Sequence, residues 1–202
     1  MPEKAAFLPQ RRVLLIADIH LGKATHFRKS GIIIPAPDFS RDLHGVEALI
    51  KSLQPGTVVF LGDLFHSEWN REWIMLKDFL SRHAAIRFVL TKGNHDILPT
   101  DVFEETDLEV VDTFPLGEHL LCSHEPLREI QENVLNIAGH VHPGVVLSTK
   151  GRQHYRLPCF YHLGQVLVLP AFGHLTGLQM LKKAAGARVF PVFPTEVVAL
   201  NS

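Results

Sequence analysis

Val13-Leu14-Leu15-Ile16-Ala17-Asp18-Ile19-His20 is an apolar run that ends on a carboxylate and an imidazole two positions apart. The pattern recurs along the chain. Thr57–Leu61 runs into Gly62-Asp63, and Ile86–Thr91 runs into Gly93-Asn94-His95-Asp96. His119–Cys122 runs into Ser123-His124, and Val134–Ala138 runs into Gly139-His140-Val141-His142. Short runs rich in β-branched residues read as buried strands. In open α/β sheets, ligands sit outside the carboxyl ends of the strands. Separate stretches of chain would thus bring carboxylates, an amide and imidazoles to one rim. Such groups are costly to bury unless paired or bound to metal, so the pattern points to a metal site holding two ions.

The 202 residues suit a single domain, taken here as 1–202, of ordinary globular composition: 46% hydrophobic and 20% charged. The formal net charge of −1 excludes a strongly basic nucleic-acid coat. It does not exclude a polyanionic substrate, since two bound cations would make the site locally positive. Met1–Arg12 carries no long apolar run of the kind a signal peptide needs, and no stretch reaches the length of a membrane span. Cys122 and Cys159 lack CxxC spacing and read as buried thiols in a reducing compartment. A cytoplasmic location is the expectation, with no membrane partner.

The first half alternates strand with helix. Asp38–Leu53 reads as a helix capped by Asp38, with Leu43, Val46, Ala48, Leu49, Ile50 and Leu53 supplying its apolar face, and Asn70–His83 as another with Trp73, Leu76, Phe79 and Leu80. The second half is mostly short strands between turn signals: Leu108–Val111, Gly144–Ser148, Phe160–His162, Val166–Leu169 and Arg188–Phe193 join those above. Strand–helix alternation followed by strands suggests an α+β fold of two packed sheets with helices outside.

Each motif is weak alone. Asp18 and His20 would share a face if the strand persisted. Asp63 has two oxygens and so can bridge two cations. In the Gly93–Asp96 block, Asn94 offers a carbonyl oxygen, His95 a general acid, and Asp96 a carboxylate to orient the His95 ring. Gly93 would supply a conformation closed to other residues. His140 and His142 can diverge to two ions. Lys23, Arg28, Lys29 and Arg41 follow the first motif, and Lys150, Arg152 and Arg156 the last; on the rim they would track a phosphodiester backbone. His26, His66 and His174 are spare imidazoles near the motifs.

In this order, D-x-H, GD, GNH[DE], H and GHxH, the residues from Asp18 to His142 resemble the calcineurin-like metallophosphoesterases. The resemblance implies a four-layer α/β/β/α fold of two mixed sheets. It implies one metal on Asp18, His20 and His142, another on Asn94, His124 and His140, and Asp63 bridging them. His95 would sit beside the scissile phosphate, and Ser123 stands where many relatives have glycine. Asp18–Lys23 with Phe27-Arg28, Gly31 and Pro35, Gly62–His66, and Pro170–Gly173 with Leu175-Thr176-Gly177 are similar to the bacterial ligase-associated DNA damage response endonucleases. That narrower resemblance implies a manganese-dependent phosphodiesterase acting on DNA in repair, associated functionally with a DNA ligase and a helicase.

The expected chemistry is phosphodiester hydrolysis by two divalent ions, with manganese favoured and iron or zinc as alternatives. His95 and Asp96 would be the catalytic residues, and Lys23, Arg28 and His66 the substrate-binding ones. Two other readings stand beside this one: a phosphatase or phosphodiesterase for small nucleotides or phosphoproteins, and a non-catalytic scaffold. A homo-oligomer is compatible with the apolar residues around Phe160–Phe172 and Phe190–Phe193.

Overall fold

The computed structural model describes residues 1–23, 41–65, 71–96, 103, 105–148, 151 and 153–200. The architecture grows from the apolar runs. Strand β2 (Val13–Ile16) lies between β1 (Ala6–Leu8) and β3 (Thr57–Phe60); β4 (Arg87–Thr91) and β5 (Leu108–Val111) complete a five-stranded sheet in the order β1-β2-β3-β4-β5. Only β1 runs antiparallel to its neighbour; the other pairs are parallel. The parallel strands therefore end on one edge, where the motifs begin.

The inner strands β2, β3 and β4 are largely apolar because both faces of the sheet are covered there. Leu14, Ile16, Val58, Phe60, Phe88 and Leu90 face helix α1 (Arg41–Leu53) and helix α2 (Arg71–Arg82). Val13, Leu15, Ala17, Val59, Leu61 and Val89 face the other way, onto the second sheet. In α1, Leu43, Val46, Leu49 and Ile50 form the buried stripe. Asp42 in its first turn and Lys51 in its last complement the helix dipole. Gln54 ends it in a left-handed conformation (φ 49°), its carbonyl held by the Arg12 guanidinium. In α2, the buried side chains are Trp73, Leu76, Phe79 and Leu80.

The second sheet runs β12 (Gln179–Met180), β9 (Pro143–Ser148), β10 (His154–Leu163), β11 (Val166–Val168), β8 (Leu135–Ala138), β7 (Leu120–Ser123), β6 (Thr113–Pro115), with β13 (Arg188–Pro191) on the far half of β10. β7, β8 and β11 are mutually parallel and end toward the same rim as β2, β3 and β4. Phe114, Leu116, Cys122, Ile137, Phe160, Leu169 and Val192 fill the space between the sheets.

Two mixed packed sheets were thus rightly expected. Both helices of the described residues cover the first sheet; the outer helical layer expected over the second is not represented among the described residues. β1, β6, β12 and the first half of β10 are additions to the expected strands, and Asp38, the proposed helix cap, lies outside the described residues. No helix among the described residues is long and apolar enough to cross a membrane.

Candidate metal centre

Past the ends of β2 and β3 the two chains stay in register. Leu61 N–H donates to the Ile16 carbonyl (2.7 Å), His20 N–H to Asp63 (2.9 Å) and Leu21 N–H to Leu64 (2.8 Å). Asp18 and His20 come together here, but not because the strand persists. β2 stops at Ile16, and both residues take left-handed backbone, φ 53° and 54°. Asp63 (46°), His140 (67°) and His142 (51°) do the same. Left-handed backbone is several-fold enriched in Asp and His yet still costs an L-residue roughly 1–2 kcal/mol. Its concentration at the side chains singled out by the motifs marks a strained, functional rim.

The ligand atoms form two groups that share one residue. Asp18, His20, Asp63 and His142 offer atoms within 4.8 Å of one another, and so do Asp63, His124 and His140. In the first group, His142 Nε2 lies 3.3 Å from His20 Nε2 and 3.4 Å from Asp18 Oδ1. In the second, His124 Nε2 lies 3.0 Å from His140 Nδ1 and 3.1 Å from Asn94 Oδ1, which adds the amide oxygen to that group. Asp63 faces both: Oδ2 is 3.8 Å from His20 Nε2, and Oδ1 is 3.5 Å from His124 Nε2.

Whether these residues suit a cation is decided by the protons. His124 Nδ1 lies 3.0 Å from the Leu61 carbonyl, which can only accept, so Nδ1 carries the proton and Nε2 presents its lone pair. That lone pair meets an amide oxygen, a carboxylate oxygen and a second imidazole nitrogen. A cation lying between that lone pair and the two oxygens would relieve the repulsion among these acceptors. The donors are imidazole, carboxylate and amide, which suits manganese, iron or zinc. The thiols stay out of it: burial pushes Cys122 and Cys159 up to about 12, and neither belongs to either group.

Close approach explains the glycines. A Cβ on Gly62 would lie 2.1 Å from His124 Nδ1, and the residue's φ is +73°. Gly93 was expected to need an unusual backbone, yet it is not among the left-handed glycines. Its constraint is steric, since a Cβ there would lie 2.4 Å from Asp63 Oδ1.

His95 stands at the edge of both groups. Its ring lies 5.5 Å from that of His20, and its backbone N–H donates to Asp63 Oδ1 at 2.9 Å. Asp96 does something other than orient that ring. Its fully buried carboxylate accepts from Gly93 N–H (2.9 Å) and from Phe65 N–H (3.1 Å), stapling the Asn94–His95 loop to the loop after β3. Burial pushes this carboxyl up to about 6, against the two amides that favour its charged form.

Lys23 is half-buried beside the site. Burial lowers its pKa, while the charges of Asp63 and Asp18 act to raise it, so it lies within electrostatic reach of both carboxylates. Arg28, His66, His26, Lys29, Lys150 and Arg152 lie outside the described residues. His174 belongs to neither metal group; its Nδ1 lies 2.9 Å from Asp42 on α1. The segment after β11 nevertheless closes on the site. Phe172 N–H donates to Ala17 (2.8 Å) and Gly173 N–H to Asp18 (3.2 Å), while the Lys4 ammonium donates to the Phe172 carbonyl. Lys4 escaped the sequence reading because a lysine in an N-terminal turn carries no local signal of a partner 168 residues away.

The family model for calcineurin-like phosphoesterases matches residues 11–166. Among solved structures, the crystal structure of the Pseudomonas putida nuclease MPE is 32% identical, with a TM-score of 0.78 over 99% of this chain and 93% of that one. The Escherichia coli phosphoesterase YfcE is 13% identical, with a TM-score of 0.49 over 93% and 96%. No curated protein sequence matches the chain.

Proposed function

The chain belongs to the calcineurin-like phosphoesterase family, and from that premise we propose that it is a manganese-dependent nuclease cleaving phosphodiester bonds in DNA. The observation that carries a two-ion site is Asp63, whose oxygens turn separately to His20 and to His124. Divalent cations bound there supply charge neutralisation at the phosphate and acidified water for in-line attack. The chain's own groups do the rest. The His95 amide and the left-handed turn hold Asp63 between the two groups. The His95 imidazole, outside both groups, holds a proton for the leaving oxygen. Lys23 supplies a cation for a neighbouring phosphate.

DNA as substrate is supported by the likeness to a nuclease at 32% identity and by the Lys23–Pro35 resemblance. A role in repair and association with a ligase and a helicase rest on that resemblance alone, and a cytoplasmic location rests on the reading of Cys122 and Cys159 as reduced, buried thiols. The complete donor set speaks against a non-catalytic scaffold.

The test is metal-stripped protein resupplied separately with manganese, iron and zinc, assayed on bis(4-nitrophenyl) phosphate. DNA, a phosphopeptide and a dinucleotide polyphosphate then compete. Manganese should restore the most activity, and DNA should be the strongest competitor. Stronger competition by either small substrate would move the function to that class.

A further inference from the structure

Asn136 is a polar residue where the fold has no evident need of one. It lies in β8, between β7 and β11, and is fully buried. Its neighbours Leu135 and Ile137 turn into the inter-sheet core, so Asn136 turns away from it. An aliphatic side chain is the ordinary occupant of such a position. The amide is instead engaged on both sides: Nδ2 donates to the Leu121 carbonyl (3.0 Å) and to Ser123 Oγ (2.8 Å), and Oδ1 accepts from Leu127 N–H (3.0 Å). Ser123 Oγ, receiving that proton, sends its own to the Glu125 carbonyl at 2.7 Å.

These bonds grip the chain on both sides of His124. The segment from His124 to Val134 has no helix or strand of its own, so its place depends on what holds it. Ser123 and Glu125 are fixed to each other, and Leu127 is fixed to β8, the strand that runs into His140. Asn136 thus ties together the two strands whose ends deliver His124 and His140.

We propose that Asn136, acting with Ser123, is a positioning residue for the second ion: it sets the 123–127 loop so that His124 Nε2 faces Asn94 and His140. The inference rests on the two-ion reading above. Asn136→Asp is the sharp variant, equal in shape but without the two N–H donors. Altered outer partners of metal ligands typically cost about 10–100-fold in metal affinity. The variant should lose that much at one site only.

Equilibrium dialysis of stripped protein against manganese reads the effect, with thermal unfolding in chelator beside it. Wild-type protein should hold two ions, and Asn136→Asp one at the same free manganese. Adding His142→Ala, in the other group, should then remove the remaining ion, whereas adding His140→Ala should leave it bound. Should the carboxylate variant fail to fold, Ser123→Ala removes one bond of the network and should weaken the same site less. Two ions held at wild-type affinity by both variants would overturn the inference. So would equal weakening at both sites with a lowered midpoint, which would make Asn136 a general stabiliser. Fewer than two ions on the wild-type protein would instead overturn the two-ion reading itself.

Discussion

Replacing Gly62 with alanine puts a methyl group 2.1 Å from His124 Nδ1 and 2.6 Å from His124 Cβ. The imidazole cannot stay, so its bond to the Leu61 carbonyl breaks, and the tautomer that aims Nε2 at Asn94 and Asp63 is no longer set. The left-handed backbone costs an alanine roughly 1–2 kcal/mol, and the lost hydrogen bond about 0.5–1.5 kcal/mol. Together these come to about 1.5–3.5 kcal/mol, roughly 10- to 400-fold in the folding equilibrium. Gly164 provides the control, with φ +58° and nothing within 4 Å of its would-be Cβ. Gly164→Ala should carry the backbone cost alone. Urea unfolding of both variants in chelator keeps metal linkage out of the comparison, and metal analysis follows on the native proteins. Gly62→Ala should be the less stable by about 1 kcal/mol or more and should hold one ion, while Gly164→Ala holds two. Equal losses of stability, with two ions bound to each, would refute the claim that Gly62 exists to admit His124.

Asp63→Asn leaves each group without its shared carboxylate oxygen, so the bound manganese measured after dialysis should fall from two ions to one or none. His95→Asn should slow hydrolysis of an alkyl or nucleoside phosphodiester by about 10²–10⁴, the usual worth of a general acid, and that of a nitrophenyl ester far less; equal losses would remove His95 from the leaving-group role. Lys23→Met should weaken DNA binding uniformly across sequences and reduce the salt slope by about one; an unchanged slope would place its ammonium away from the phosphates. Asp96→Asn turns an amide N–H₂ toward a backbone N–H, and leaving such a buried donor unpaired costs about 1–3 kcal/mol, which urea unfolding would show.

The strand–helix alternation of the first half was legible because β2, β3 and β4 are buried on both faces, so they read as continuous apolar runs with amphipathic helices between them. The residues of the rim were legible because Asp, Asn and His at the ends of apolar runs are out of place for any other reason. What stayed hidden depends on long-range pairing. In the second sheet β11 returns to pair in parallel with β8, with β9 and β10 intervening in the chain, and Pro158 disguised β10 as a shorter strand. The left-handed turns at Asp18 and His20 left no signal of their own, since a spacing of two on a persisting strand would also bring the side chains together. Asp96 was assigned to the nearest ring because sequence shows adjacency and not the Phe65 amide 31 residues away. Asn136 left only the weak signal of a single amide in an apolar strand.

The central claim is a phosphodiesterase that cuts DNA with two ions shared through Asp63. Its most direct test is nicking of covalently closed circular DNA by stripped protein given back manganese, with Asn94→Ala beside it. The account predicts nicking that requires manganese and disappears with Asn94→Ala. Wild-type protein that binds two ions yet leaves both the DNA and bis(4-nitrophenyl) phosphate intact would contradict it.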